Sequence, residues 1–260
     1  MANYWQDRAA AAQAALTNKT TKQLERQLRK YYTRATKQVM QDFEDTYNKL
    51  LDTVGKDREP TPADLYKIDK YWKLQGQLKE ELQKLGSRQI KALTEAFETN
   101  FFDVYFTIGI EGREAFYTID SAAVNQIINS IWVADGKSWS QRIWDNTDKL
   151  ARTLNDELIN CVVSGKKTSD LKKALMERFS VSYSAADSLA RTELAHIQTE
   201  AAKERYKSYG IQKVQIWADE DERRCEVCGK LHKKIYPAGA AVPIPAHPRC
   251  RCCIVPVIED

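Results

Sequence analysis

The sequence predicts a predominantly helical α+β protein, with a long N-terminal helical hairpin or arm, a helical middle and a small C-terminal β-hairpin domain rich in cysteine. Three observations carry this. Apolar residues recur at threes and fours through the first hundred positions, which is the period of a helix with one buried face. A second series of helical segments, each with Ser or Asp near its start, fills residues 121–209. Beyond it, a strand-like Val214-Gln-Ile-Trp217 leads into a stretch that holds five of the six cysteines and two of the three histidines. The expected division is an arm over 1–108 and a second domain over 120–260, with helices in 121–209 and a β region in 211–260.

Taken in order, Ala9 to Ala15 is nearly pure alanine, a strong helix former with little surface to pack, so it predicts a slender helix leaning on something else. From Thr20 the positions Leu24, Leu28, Tyr31, Ala35, Val39, Phe43, Tyr47, Leu50 and Val54 form one stripe on a helix of roughly 50 Å. Thr20-x-x-Gln23 reads as a capping box at its start, and Gly55 as its stop. Pro62 behind Thr61 is placed as a first-turn proline. Leu65, Ile68, Trp72, Leu78, Leu82 and Leu85 resume the stripe, and Ile90, Leu93, Phe97 and Phe101 carry it past Gly86. Two such helices joined by a short polar turn pair antiparallel, as a coiled-coil-like hairpin over 20–108 that Gly76 and Gly86 loosen locally. A plain bundle core explains the same stripes.

After a break at Gly109 to Gly112, residues 121–133, 138–164 and 169–179 read as three helices. Ile127, Ile131, Trp132, Trp139, Ile143, Trp144, Leu150, Leu154, Leu158, Leu171 and Leu175 are their expected core, with Cys161 a small buried hydrophobe among them. A fourth helix spans about 184–209.

Net charge is +4 and the pI about 8.6, with acidic and basic residues interspersed along the helices. That pattern describes solvated faces and not a nucleic-acid groove, so any DNA contact is electrostatic and non-specific. No apolar run approaches the roughly twenty residues of a membrane span, and no signal-like N-terminus is present. The expectation is therefore no membrane partner and a reducing compartment, where clustered cysteines favour metal over disulfides.

The cluster reads Cys225-Glu-Val-Cys228, an eighteen-residue loop, His247-Pro-Arg-Cys250, then Arg251-Cys252-Cys253. A C-x-x-C knuckle followed by H-x-x-C offers three thiolates and one imidazole, the donor set of a closed tetrahedral zinc site. The expected ligands are Cys225, Cys228, His247 and Cys250, holding a structural Zn2+ that makes this a zinc-clipped β-hairpin domain. On a strand, Cys252 shares the face of Cys250 and is the alternative fourth ligand. His232 is expected as an exposed loop residue. Unmetallated cysteines, a disulfide, or a catalytic Cys225 or Cys228 with His232 or His247 are the competing readings, and no orienting third group supports catalysis.

From Ala190 the chain runs Ala190-Arg191-Thr192-Glu193, a helix to Gly210, the aromatic strand Val214 to Trp217, Asp221, the C-x-x-C, and Pro245-Ala-His247-Pro-Arg-Cys250-Arg-Cys252. This order, over roughly residues 185–258, resembles the phage Mu F-like family of minor head, or head morphogenesis, proteins. The resemblance implies a non-enzymatic minor capsid protein of a tailed bacteriophage. It would act at the portal vertex in head assembly, DNA packaging or DNA exit, with the portal and capsid or scaffold proteins as partners. It would reside in the virion, and in host cytoplasm during assembly. The sequence also suggests that Arg191 reaches Asp219 or Asp221 beside the knuckle, and that His196 joins that network. The alternative is a zinc-containing DNA-binding protein or an HNH-like nuclease. It is disfavoured because Ala246 and Pro248 flank His247 and no following helix supplies a second metal ligand.

Overall fold

A computed structural model describes residues 2–55, 58–110, 119–218, 221, 222 and 224–258. The element order is α1 (Ala2–Val54), α2 (Pro62–Tyr66), α3 (Asp69–Thr107), α4 (Ser121–Ile128), α5 (Trp139–Val163), α6 (Thr168–Ser208), β1 (Lys213–Trp217), α7 (Glu226–Leu231), β2 (Ile235–Pro237) and β3 (Cys253–Val257). The protein is a mostly helical α+β structure, as the sequence predicts.

Two compact units interleave along the chain: 26–91 with 140–187, and 1–25 with 92–139 and 188–260. The boundaries fall inside α1, α3, α5 and α6.

The unit of 26–91 and 140–187 is a four-helix bundle. Tyr32 and Tyr47 of α1 reach α5 and the turn after it: Asn146 Nδ2 donates to the Tyr32 hydroxyl, and Tyr47 donates to the carbonyl of Lys166. α1 and α5 therefore run parallel. Lys172 of α6 pairs with Glu44, while Ser182 lies against Tyr32, so α6 runs the other way. Tyr71 bonds Asn155, and a methyl group at Gly86 would lie 2.5 Å from Cζ3 of Trp144, so α3 is antiparallel to α5. The helices alternate up and down around one core in which Phe43, Tyr47, Leu50, Leu85, Leu154 and Leu175 are almost fully buried. Gly86 thus gives room to an indole and does not loosen the helix. Gly55, at φ +77°, ends α1 in the left-handed conformation that favours glycine. Thr61 and Asp64 form a capping box behind Pro62, which starts α2.

Several expectations are corrected. Residues 169–179 and 184–209 are one helix, because the backbone through Ser180 to Ser184 is held by the bundle: the Ser182 carbonyl accepts from Tyr32 and from Asn146. Thr20 caps nothing. It is buried in mid-helix, and Asn100 donates to its hydroxyl. α4 stops at Ile128, and Ile131 and Trp144 are exposed in place of core. Trp72, expected on the stripe, is 60% exposed, and Tyr71 takes its place.

In the other unit, Phe97, Phe101, Val104, Leu194, Ile197 and Tyr206 are buried, and the strands form a three-stranded antiparallel sheet of order β2-β1-β3. Trp139 stacks edge-on against Phe97 and donates its indole N–H to the carbonyl of Ile128. β3 pairs with β1 from Trp217↔Cys253 to Lys213↔Val257. The far edge of β3 is covered by the first turns of α1. Ala9 packs on Cys253 and Val255, and Gln13 and Gln6 donate to the carbonyls of Ile254 (2.8 Å) and Pro256 (3.3 Å). Pro256 lacks an N–H, and an edge strand is where a proline is tolerated. The alanine run leans on this edge through Ala9.

Candidate metal centre

The donors come from two short segments. In the first, Cys225 is the N-cap of α7, and its sulfur accepts the backbone N–H of Cys228 at 3.4 Å. A thiolate in that position gains both from the N–H groups and from the helix N-terminus, and the Cys225 thiol is accordingly shifted down. In the second, the Cys250 N–H donates to the His247 carbonyl, closing a tight turn in which Arg249 takes φ +62°.

The segments meet at Cys228. Its sulfur lies 3.1 Å from His247 Nε2 and 3.7 Å from Cys250 Sγ, and Cys225 Sγ lies 3.3 Å from the same Nε2. A tetrahedron with Zn–S bonds of about 2.3 Å has edges of about 3.8 Å, so these separations suit a common ion. The His247 Nδ1 faces the Pro248 carbonyl at 2.8 Å, and a carbonyl only accepts. Nδ1 therefore carries the proton, and the Nε2 lone pair is turned towards the sulfurs, as a metal ligand requires. Three thiols and an imidazole of this kind fit zinc by both donor type and spacing.

The donors fall into two overlapping triplets, Cys225, Cys228 and His247, and Cys228, Cys250 and Cys252, each within 4.8 Å. Of the expected ligands, Cys225, Cys228 and His247 share one triplet, and Cys250 joins Cys228 in the other together with Cys252. A cavity of about 50 Å³ is lined by Cys225, Cys228, His247 and Cys252. Cys250 and Cys252 precede β3 and are not part of it, so strand alternation does not decide between them. Their chemistry differs. The Cys252 thiol hydrogen-bonds to Cys250, which lowers Cys250 to about 5 and raises Cys252. Burial pushes Cys228 up to about 12. Cys253 points away from the cluster, towards Ala9.

The surrounding residues depart from expectation. Arg191 pairs with Glu25 at 3.1 Å, and Asp219, one of its two expected partners, lies outside the described residues. Asp221 instead binds Arg251 through two hydrogen bonds, 2.7 and 2.6 Å. His196 belongs to no such network: it is buried and stacked on Trp132 at 4.5 Å, and burial lowers it to about 4. His232 is not an exposed loop residue. It caps α7, its Nδ1 accepts the N–H of Ala218, and its ring meets Trp217 edge-on. Thr192, whose role the sequence left open, accepts the backbone N–H of Arg249 at 3.0 Å and so fixes the His247–Cys250 turn to α6. Glu193 takes the indole N–H of Trp132. Ala190, at the start of the same string, is buried.

Residues 152–255 match the family described as Phage Mu protein F like protein. This segment is similar to Mu F-like proteins. The matched segment contains α6, β1, β2, the start of β3 and every donor of the metal cluster. No curated protein and no solved structure matches the chain. Among the described residues no helix is long and apolar enough to cross a membrane.

Proposed function

We propose that this Mu F-like chain is a minor capsid protein of a tailed bacteriophage that associates with the portal vertex and acts in head assembly, DNA packaging or DNA exit. The observation that carries the reading is the coincidence of the family match with a folded donor cluster: the matched residues end on the strand that follows the cysteines. In this reading the protein is a non-enzymatic virion component, and its partners are the portal and the capsid or scaffold proteins. Contact with DNA is non-specific and electrostatic, in keeping with a charge of only +4.

The metal is structural. Cys225, Cys228, His247 and Cys250 would hold one zinc ion, which supplies a covalent-strength tie between two segments too short to build a core of their own. The residues around it serve that tie: Cys225 caps α7, Thr192 holds the second turn, and His247 presents the correct nitrogen.

Co-expression of tagged full-length chain with the portal protein of the same phage tests the assignment. Stable co-purification, and loss of the chain from heads assembled on a portal-deleted background, is the expected result. Incorporation into heads at normal copy number without portal would refute portal association.

A further inference from the structure

Each half of the donor set is fixed by its own turn, but the two halves lie on segments separated by residues 229–246. The N-cap of α7 sets Cys225 against Cys228, and the 250-to-247 backbone bond sets Cys250 against His247. Neither turn fixes one half against the other. A side-chain pair spans the gap: Arg251, between Cys250 and Cys252, donates two N–H groups to the two carboxylate oxygens of Asp221, four residues before Cys225. A bidentate guanidinium–carboxylate pair fixes both separation and orientation, which a single point contact does not.

We infer that Arg251 and Asp221 are the positioning pair of the metal centre, a clasp that holds the knuckle and the His247–Cys252 segment at ligand distance and so governs how fast the ion is lost. The inference rests on the zinc reading above. The two side chains are 38% and 29% exposed, so water screens the pair and its direct contribution to folding is small. Its effect is on geometry: groups that orient metal ligands change metal affinity by about 10- to 100-fold when removed.

The test uses zinc-loaded full-length chain mixed with excess chromophoric chelator, with the rate of zinc transfer read by absorbance and helix content by circular dichroism. Arg251→Gln and Asp221→Asn should each release zinc about tenfold faster with helix content unchanged. Arg251→Lys, which keeps the charge but loses the fork, should fall between them and the unmodified chain. The exchanged double variant, Arg251→Asp with Asp221→Arg, should be slower than either single charge removal. Release from the single variants within twofold of the unmodified chain overturns the clasp, as does an exchanged variant no slower than the singles. A purified chain that carries no zinc at all overturns the metal reading itself, a different failure from a loaded chain indifferent to Arg251.

Discussion

Replacing Gln13 by alanine should detach the first turns of α1 from the sheet. Gln13 is fully buried, and its amide donates to the carbonyl of Ile254 at 2.8 Å while its carbonyl accepts from Gln198 at 3.3 Å. Loss of the short bond removes about 1 kcal/mol, and a Gln198 amide left without its acceptor costs about 1–3 kcal/mol more. Alanine returns a few tenths of a kcal/mol in helix propensity. Ile254 keeps one partner, because the Tyr206 hydroxyl also donates to it at 3.2 Å. The expected loss is therefore about 2–4 kcal/mol. Urea unfolding should show it as a lower midpoint at unchanged slope, and amide exchange should speed up in Cys253–Val257 before it does in the bundle. A loss under about 0.5 kcal/mol would mean that the edge of β3 does not depend on α1.

Three further outcomes are expected. His196 is held neutral by burial, with its pKa lowered to about 4 from 6.5. Its contribution is thus complete above about pH 6.5 and disappears as pH falls towards 4, by up to about 3 kcal/mol. In His196→Leu the stability–pH curve should be flatter over that window, and an unchanged curve would dismiss the assignment. Thr61→Ala removes the capping box in front of α2 and should lower the midpoint of thermal unfolding by the equivalent of about 1 kcal/mol; an unaltered midpoint would show that α2 is held by Leu65 alone. Cys225→Ser with Cys228→Ser should abolish zinc retention and raise amide exchange from Ile211 onward, while the bundle core stays protected; stoichiometric zinc in that variant would exclude both residues as ligands.

Much of the bundle was legible because its signal is periodic: Leu28, Ala35, Val39, Phe43, Tyr47 and Leu50 are all buried as the stripe requires. The donor cluster was legible because ligand spacing is a local property. What escaped was whatever depends on a distant partner. The Ser180 to Ser184 stretch reads as a break, since serine competes for backbone hydrogen bonds, yet tertiary donors from Tyr32 and Asn146 occupy the carbonyl and the helix continues. Arg191 offers no sign in its neighbourhood that Glu25, 166 positions away, is its partner. Trp72 and Tyr71 are adjacent, and only packing against Asn155 decides which of them turns inward. Asp221 preceding the knuckle and Arg251 inside the second ligand segment were both visible, and opposite charges flanking paired ligand motifs are a signal that could have been used.

The bond between Gln13 and Ile254 spans 241 positions. At about 5–20 residues per second, the ribosome needs roughly 12 to 50 s to pass from one to the other. Throughout that interval the opening helix has been made but the strand it covers has not, whereas the bundle of 26–91 and 140–187 can close earlier. Maturation of the sheet and its cysteines is therefore timed by translation: a nascent chain interrupted before residue 253 has an orphaned amphipathic N-terminus that holdase chaperones can capture.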